Sequence, residues 1–146
     1  MSRLVPILLV LALSGCGKES KVGTRPNEVL KIESFAGFWQ VVKETTGGIE
    51  RDLSTEDRAF FAFKKAEMIY VAPKSAKERE VQRTTYLISG KNLTNRAGRP
   101  LYRIDTIEPG RLKITVVRNK QTGILEPISE AEFNAAVEEA ERMRRQ

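Results

Sequence analysis

The sequence predicts a mainly β domain, a small antiparallel β-barrel or strongly bent sheet, with one C-terminal α-helix packed on it. Three observations lead there. Residues 101–117 alternate with period two on both sides of Pro109-Gly110, the pattern of two strands about a turn. From Phe35 onward, short apolar segments alternate with turn residues, as successive strands do. Ser129-Glu130-Ala131-Glu132 is a capping box ahead of an apolar stripe at helical spacing, which marks a helix start.

Ahead of the domain stand two other segments. Residues 1–15 combine Arg3 with an apolar run from Leu4 to Leu13; the run is too short to span a bilayer and has the shape of a signal-peptide core. Cys16, the chain's one cysteine, follows directly. Leu13-Ser14-Gly15-Cys16 resembles the lipobox of bacterial lipoproteins, and the resemblance implies cleavage before Cys16, a diacylglycerol on its thiol and acylation of the new amino group. Two acyl chains convert marginal membrane binding into stable anchoring. An ordinary secretory signal with an incidental cysteine is the alternative. Residues 16–34 are polar and broken by Gly23 and Pro26, and read as the lipidated cysteine followed by a flexible tether. Gly17, rather than aspartate, follows the cysteine; by the sorting rule that accompanies the resemblance, this favours the outer membrane, facing the periplasm.

Residues 35–146 form the domain. Phe38 to Val42 is the first expected strand, ended by Thr46-Gly47-Gly48. Residues 54–58 read as a short helical turn feeding a strand. Ala59 to Lys64 and Met68 to Ala72 are strands meeting near Lys65-Ala66-Glu67, with Pro73 closing the second. Helical spacing is also present here, but Phe60, Phe61, Phe63, Ile69, Tyr70 and Val71 are β-formers. Lys74 to Arg83 is charged and expected as a solvated loop. Thr84 to Ser89 is a strand that Gly90-Lys91 turns into Asn92 to Thr94.

In the hairpin, Tyr102, Ile104 and Thr106 share one face of the first strand, and Leu112, Ile114 and Val116 one face of the second. Pro109-Gly110 suits the centre of a type II turn, where proline presets φ and glycine accepts φ > 0. The helix is expected over 129–145. Ile128 and Phe133 flank its start as a hydrophobic staple, and Phe133, Ala136, Val137, Ala140 and Met143 form its buried stripe.

Gly37-Phe38-Trp39, opening the first strand, is similar to the G-x-W motif of lipocalins and lipocalin-like bacterial domains. Tyr86-Leu87-Ile88-Ser89-Gly90-Lys91-Asn92-Leu93 and Tyr102-Arg103-Ile104-Asp105-Thr106-Ile107, followed by Leu112-Lys113-Ile114, extend the likeness, which spans about residues 35–145 with the helix. The resemblance implies a β-barrel whose base is closed by Trp39, and an arginine from a late strand against that tryptophan. Arg118 holds that place by order. The second lipocalin motif, T-D-Y, has no match.

The chain contains no histidine, which removes Ser-His-Asp and Cys-His catalysis and the commonest transition-metal ligand. No S-x-x-K, glycine-rich phosphate loop or EF-hand loop is present. Asp52, Asp57 and Asp105 read as surface or turn acids. The expectation is therefore a non-enzymatic protein with no catalytic residues, no metal and no cofactor. The net charge is +6, and with Arg3 the sole charge among the first fifteen residues, the remaining 131 carry +5. Basic and acidic residues are interleaved without an aromatic platform, so nucleic acid is not an expected partner. A mild basic excess suits anionic headgroups or cell-wall polymer, or a scattered solvated surface.

The expected function is a lipid-anchored envelope protein that binds a small apolar or amphipathic ligand in the barrel. Phe61, Phe63, Tyr86, Ile88, Tyr102, Ile104 and Ile114 are the ligand-binding candidates, with Trp39 structural and Cys16 lipidated. The same apolar residues fill the core of many small barrels. An accessory or inhibitor lipoprotein, presenting loops 74–83 and 95–100 to an envelope protein, is the alternative.

Overall fold

The computed structural model of the chain describes residues 30–145; the expected signal peptide, Cys16 and most of the tether lie outside them. Ten strands form one antiparallel sheet: β1 (Gly37–Thr46), β2 (Ile49–Asp52), β3 (Phe60–Lys64), β4 (Glu67–Val71), β5 (Val81–Thr85), β6 (Leu87–Ser89), β7 (Asn92–Thr94), β8 (Pro100–Glu108), β9 (Arg111–Val116) and β10 (Thr122–Pro127). Among the described residues a single α-helix, α1 (Glu130–Arg144), follows. The strand order is β5-β4-β3-β1-β10-β9-β8-β7-β6, with β2 off the path and paired to β1. First and last long strands are thus neighbours, and the sheet curls into a nearly closed barrel, as expected.

One seam remains, between β5 and β6. They are consecutive in the chain, separated only by Tyr86, so the gap in the hydrogen-bond ladder is crossed by a peptide link. Tyr86 anchors the crossing: its amide donates to the Ala66 carbonyl at 3.1 Å and its hydroxyl to the Lys64 carbonyl at 2.6 Å. The expected single strand over 84–89 is therefore divided, because its two halves pair with β4 and β7 respectively.

Strands β3 and β4 are buried on both faces, which explains their nearly unbroken apolar sequence. Phe61, Phe63 and Met68 point into the barrel; Ala62, Ile69 and Val71 pack beneath α1 with Phe133 and Ala140. The capping box forms as expected, with the Ser129 hydroxyl accepting from the Glu132 amide at 3.1 Å. Ile128 and Phe133 meet in the same cluster, and the Phe133 ring lies 5.3 Å from that of Phe38. Met143 departs from the expected stripe: it is 47% exposed, its sulfur 3.7 Å from Arg79 Nη1.

Four further differences have local causes. The chain packs before residue 35: Leu30 is buried and Ile32–Ser34 forms a 3-10 turn. Segment 74–83 is not wholly solvated, since Arg79 is buried and donates to Glu139 of α1 at 3.3 Å. A bulge between Ile104 and Thr106 breaks the period of β8, so Ile107 rather than Thr106 continues into the core. Strands β2 and β10 carry no alternation strong enough to mark them in sequence; β2 is exposed throughout.

Candidate functional site

The two ends of the barrel differ. At one end β1 begins, and Trp39 there donates its indole N–H to the Phe35 carbonyl at 3.0 Å. Phe35 is fully buried and meets Phe63 edge-on at 5.3 Å. Leu30 and Phe35 plug this end from the lead-in segment. Gly37 has φ +136°, a backbone that side chains rarely adopt, and an added Cβ would point at the Trp39 indole nitrogen, 3.8 Å away. The glycine and tryptophan of the G-x-W motif thus serve one closure.

The other end is hollow. A cavity of about 390 Å³ opens where β1 finishes and the β9–β10 turn stands, near the lower end of ordinary ligand-pocket sizes. Phe61 divides hollow from solid: it stacks on Phe63 below at 5.6 Å and meets Tyr70 at 5.3 Å and Tyr102 at 5.6 Å. Val41, Ile114 and Leu125 add aliphatic wall, and Gly123 of β10 leaves space where a side chain would stand. The rim is polar, with Glu44, Asp57, Glu80, Gln82 and Arg118.

Of the expected ligand-facing residues, Phe61, Tyr102 and Ile114 stand on the cavity wall. Phe63, Tyr86 and Ile104 are buried in the packed half, and Ile88 is half-buried against it. Arg118 lies on the cavity rim, at the opposite end of β1 from Trp39. Its order along the chain did not determine that place, because the β9–β10 turn projects past the end of the barrel. Tyr70 was not among the expected residues, yet it pairs in register with Phe61; alternation from Phe61 across the Lys65-Ala66 turn was the available signal.

The rim groups are conditioned by their neighbours. Hydroxyl hydrogen bonds from Ser75 and Ser54 hold the Asp57 carboxyl below its usual value. Burial raises the Tyr70 phenol, with Glu80 and Glu44 adding to the rise. Burial, then Tyr70, raises the Tyr102 phenol, while Arg118 opposes the rise. Glu44 is held by Arg51 and by Gln121 Nε2 at 2.9 Å. Among the described residues no group of three or more His, Cys, Asp or Glu side chains is placed to hold a metal ion. A more open groove lies outside the barrel, between segment 77–82 and the end of α1; charged side chains of both signs line it.

No family model matches the chain, and no curated protein does either. Among solved structures, the chain is similar to a lipocalin-like protein from Bacteroides uniformis, with a TM-score of 0.49 and 11% identity over 65% of this chain and 99% of that one. It is also similar to an uncharacterized protein from Bacteroides eggerthii, with a TM-score of 0.47 and 10% identity over 64% of this chain and 99% of that one.

Proposed function

We propose that this chain is a lipid-anchored bacterial envelope protein that binds a small apolar or amphipathic molecule in the open half of its barrel, without catalysing a reaction on it. The observation that carries the reading is the 390 Å³ cavity floored by Phe61 and walled by Tyr70, Tyr102, Ile114 and Leu125. An apolar floor removes hydrocarbon from water at roughly 25 cal/mol per Å², and a polar rim leaves a head group solvated. The packed lower half limits the occupant to a short body.

Anchoring rests on Leu13-Ser14-Gly15-Cys16: a diacylglycerol and a fatty acyl chain such as palmitate on Cys16 would hold the domain at the membrane. Gly17 after the cysteine favours the outer membrane, with the barrel in the periplasm. A second reading, a protein partner in the envelope, is favoured by one feature. Leu87 is 57% exposed on β6, beside the unpaired seam.

Native mass spectrometry on residues 17–146, exported to the periplasm and purified without detergent, tests the first reading. The expected result is a reproducible added mass that is lost on denaturation. A bare polypeptide mass, together with no uptake of decan-1-ol by calorimetry, overturns it in favour of the protein partner.

A further inference from the structure

Four charged residues line the cavity, and two of them are satisfied locally. Glu44 is ion-paired to Arg51. Asp57 accepts from the Ser54 hydroxyl at 3.1 Å and lies in the field of Arg51. The other two lack a counter-charge. Glu80 accepts a hydrogen bond from the neutral amide of Gln82 at 2.8 Å and makes no ion pair among the described residues. Arg118 makes neither an ion pair nor a hydrogen bond among them.

These two charges belong to different walls. Glu80 leads into β5, and Arg118 sits in the turn joining β9 to β10; β4, β3 and β1 intervene between those strands in the sheet. Tyr70 on β4 and Tyr102 on β8 face the cavity from opposite walls in the same way. Both phenols are half-buried, and neither hydroxyl has a hydrogen-bond partner among the described residues. The field of Glu80 reaches Tyr70 and that of Arg118 reaches Tyr102.

We infer that the cavity takes a zwitterionic amphiphile, its apolar body on Phe61, Tyr70, Tyr102 and Val116, its ammonium toward Glu80 and its anionic group toward Arg118. The inference rests on the ligand-binding reading above and adds the chemistry of the polar end. Both side chains are exposed at the rim, where water screens them, so a singly charged ligand gains one attraction and meets one repulsion there. A ligand carrying both signs answers both walls, and the Tyr102 phenol, which the field of Arg118 reaches, donates to its anionic oxygens. Complementary and repulsive terms together set such a preference.

A matched series tests this on residues 17–146, whose barrel and helix hold complete cores of their own. The compounds are 2-aminodecanoic acid, decanoic acid, nonylamine and decan-1-ol, titrated calorimetrically at pH 7 and low salt. The zwitterion is expected to bind about tenfold more tightly than the acid or the amine, a difference readily resolved. Arg118→Gln should bring the zwitterion level with nonylamine, and Glu80→Gln should bring it level with decanoic acid. Decan-1-ol binding with no preference among the charged compounds, or a preference that survives both substitutions, overturns the inference while leaving the ligand-binding reading intact. Failure of all four to bind overturns both.

Discussion

The Tyr86 hydroxyl donates to the Lys64 carbonyl at 2.6 Å across the place where β5 gives way to β6. The bond ties the barrel's one seam to the end of β3, where no strand–strand ladder does so. Burial also pushes this phenol up to about 12. The folded state therefore keeps the proton at pH values where the unfolded chain loses it. This contribution is full below about pH 10, the ordinary tyrosine value, and is lost as pH rises toward 12. Tyr86→Phe should cost about 1 kcal/mol at neutral pH through the lost hydrogen bond. It should also flatten the alkaline part of the stability curve. Urea melts of both proteins from pH 7 to 11 check this; parallel curves for the two would remove Tyr86 as the titrating group.

Trp39 closes the base, 7% exposed and hydrogen-bonded to Phe35. Trp39→Ala should cost about 3–5 kcal/mol, as large-to-alanine changes in packed cores do. Trp39→Phe should cost less, losing the indole bond and part of the volume. Equal, negligible losses in denaturant melts would mean that the base does not depend on the ring.

Gly123 faces the cavity with an ordinary strand conformation. A Cβ there would lie 3.4 Å from Val41 Cγ1 and 3.6 Å from Leu125 Cδ1. Gly123→Ala should therefore hold or raise stability by about 0.5 kcal/mol, since glycine costs strands that much in entropy. It should also narrow the cavity and weaken ligand uptake. Calorimetry with decan-1-ol reads the second effect, and unchanged affinity would place the ligand elsewhere.

The Ser129 cap holds the first turn of α1 against the outer face of the barrel. Ser129→Ala should cost about 1 kcal/mol and leave ligand uptake unchanged, because α1 packs behind β3 and β4 rather than against the cavity. A shift in ligand affinity comparable to the stability loss would show that the helix props the wall.

The anchor is tested in cells. Cys16→Ala should yield protein without covalent lipid, extractable without detergent. Unchanged retention in the membrane after signal cleavage would count against the lipobox reading of Leu13-Ser14-Gly15-Cys16.

Much of the fold was legible in the sequence, and the exceptions are instructive. The β8–β9 hairpin showed itself through Pro109-Gly110 and alternation, and α1 through its capping box, because both signals act within a few residues. Period two in β8 held as far as Asp105, whose carboxylate accepts from Arg103 at 2.6 Å and Thr115 at 2.5 Å on the shared face, and failed after it, where the bulge puts Ile107 rather than Thr106 in the core; only the register with β9 fixes that. Strand β10 gave no such sign, for its residues are strand by virtue of lying between β1 and β9.

The site divides in the same way. Sequence by itself determined that the chain is mainly β with one C-terminal helix, that Gly37-Phe38-Trp39 opens the first strand, and that aromatic residues would crowd the interior. Those properties follow from local pattern. Which aromatic residues line the cavity and which are enclosed in the packed half was decided by tertiary structure alone. Phe61 and Phe63 are two residues apart on one face of β3, identical in type and alternation. Phe63 lies under Phe35 at the plugged end, and Phe61 forms the cavity floor. The lead-in segment and the β9–β10 turn, remote in sequence, cap opposite ends of the same strands. Depth along a barrel axis arises from that assembly, and period two cannot encode it.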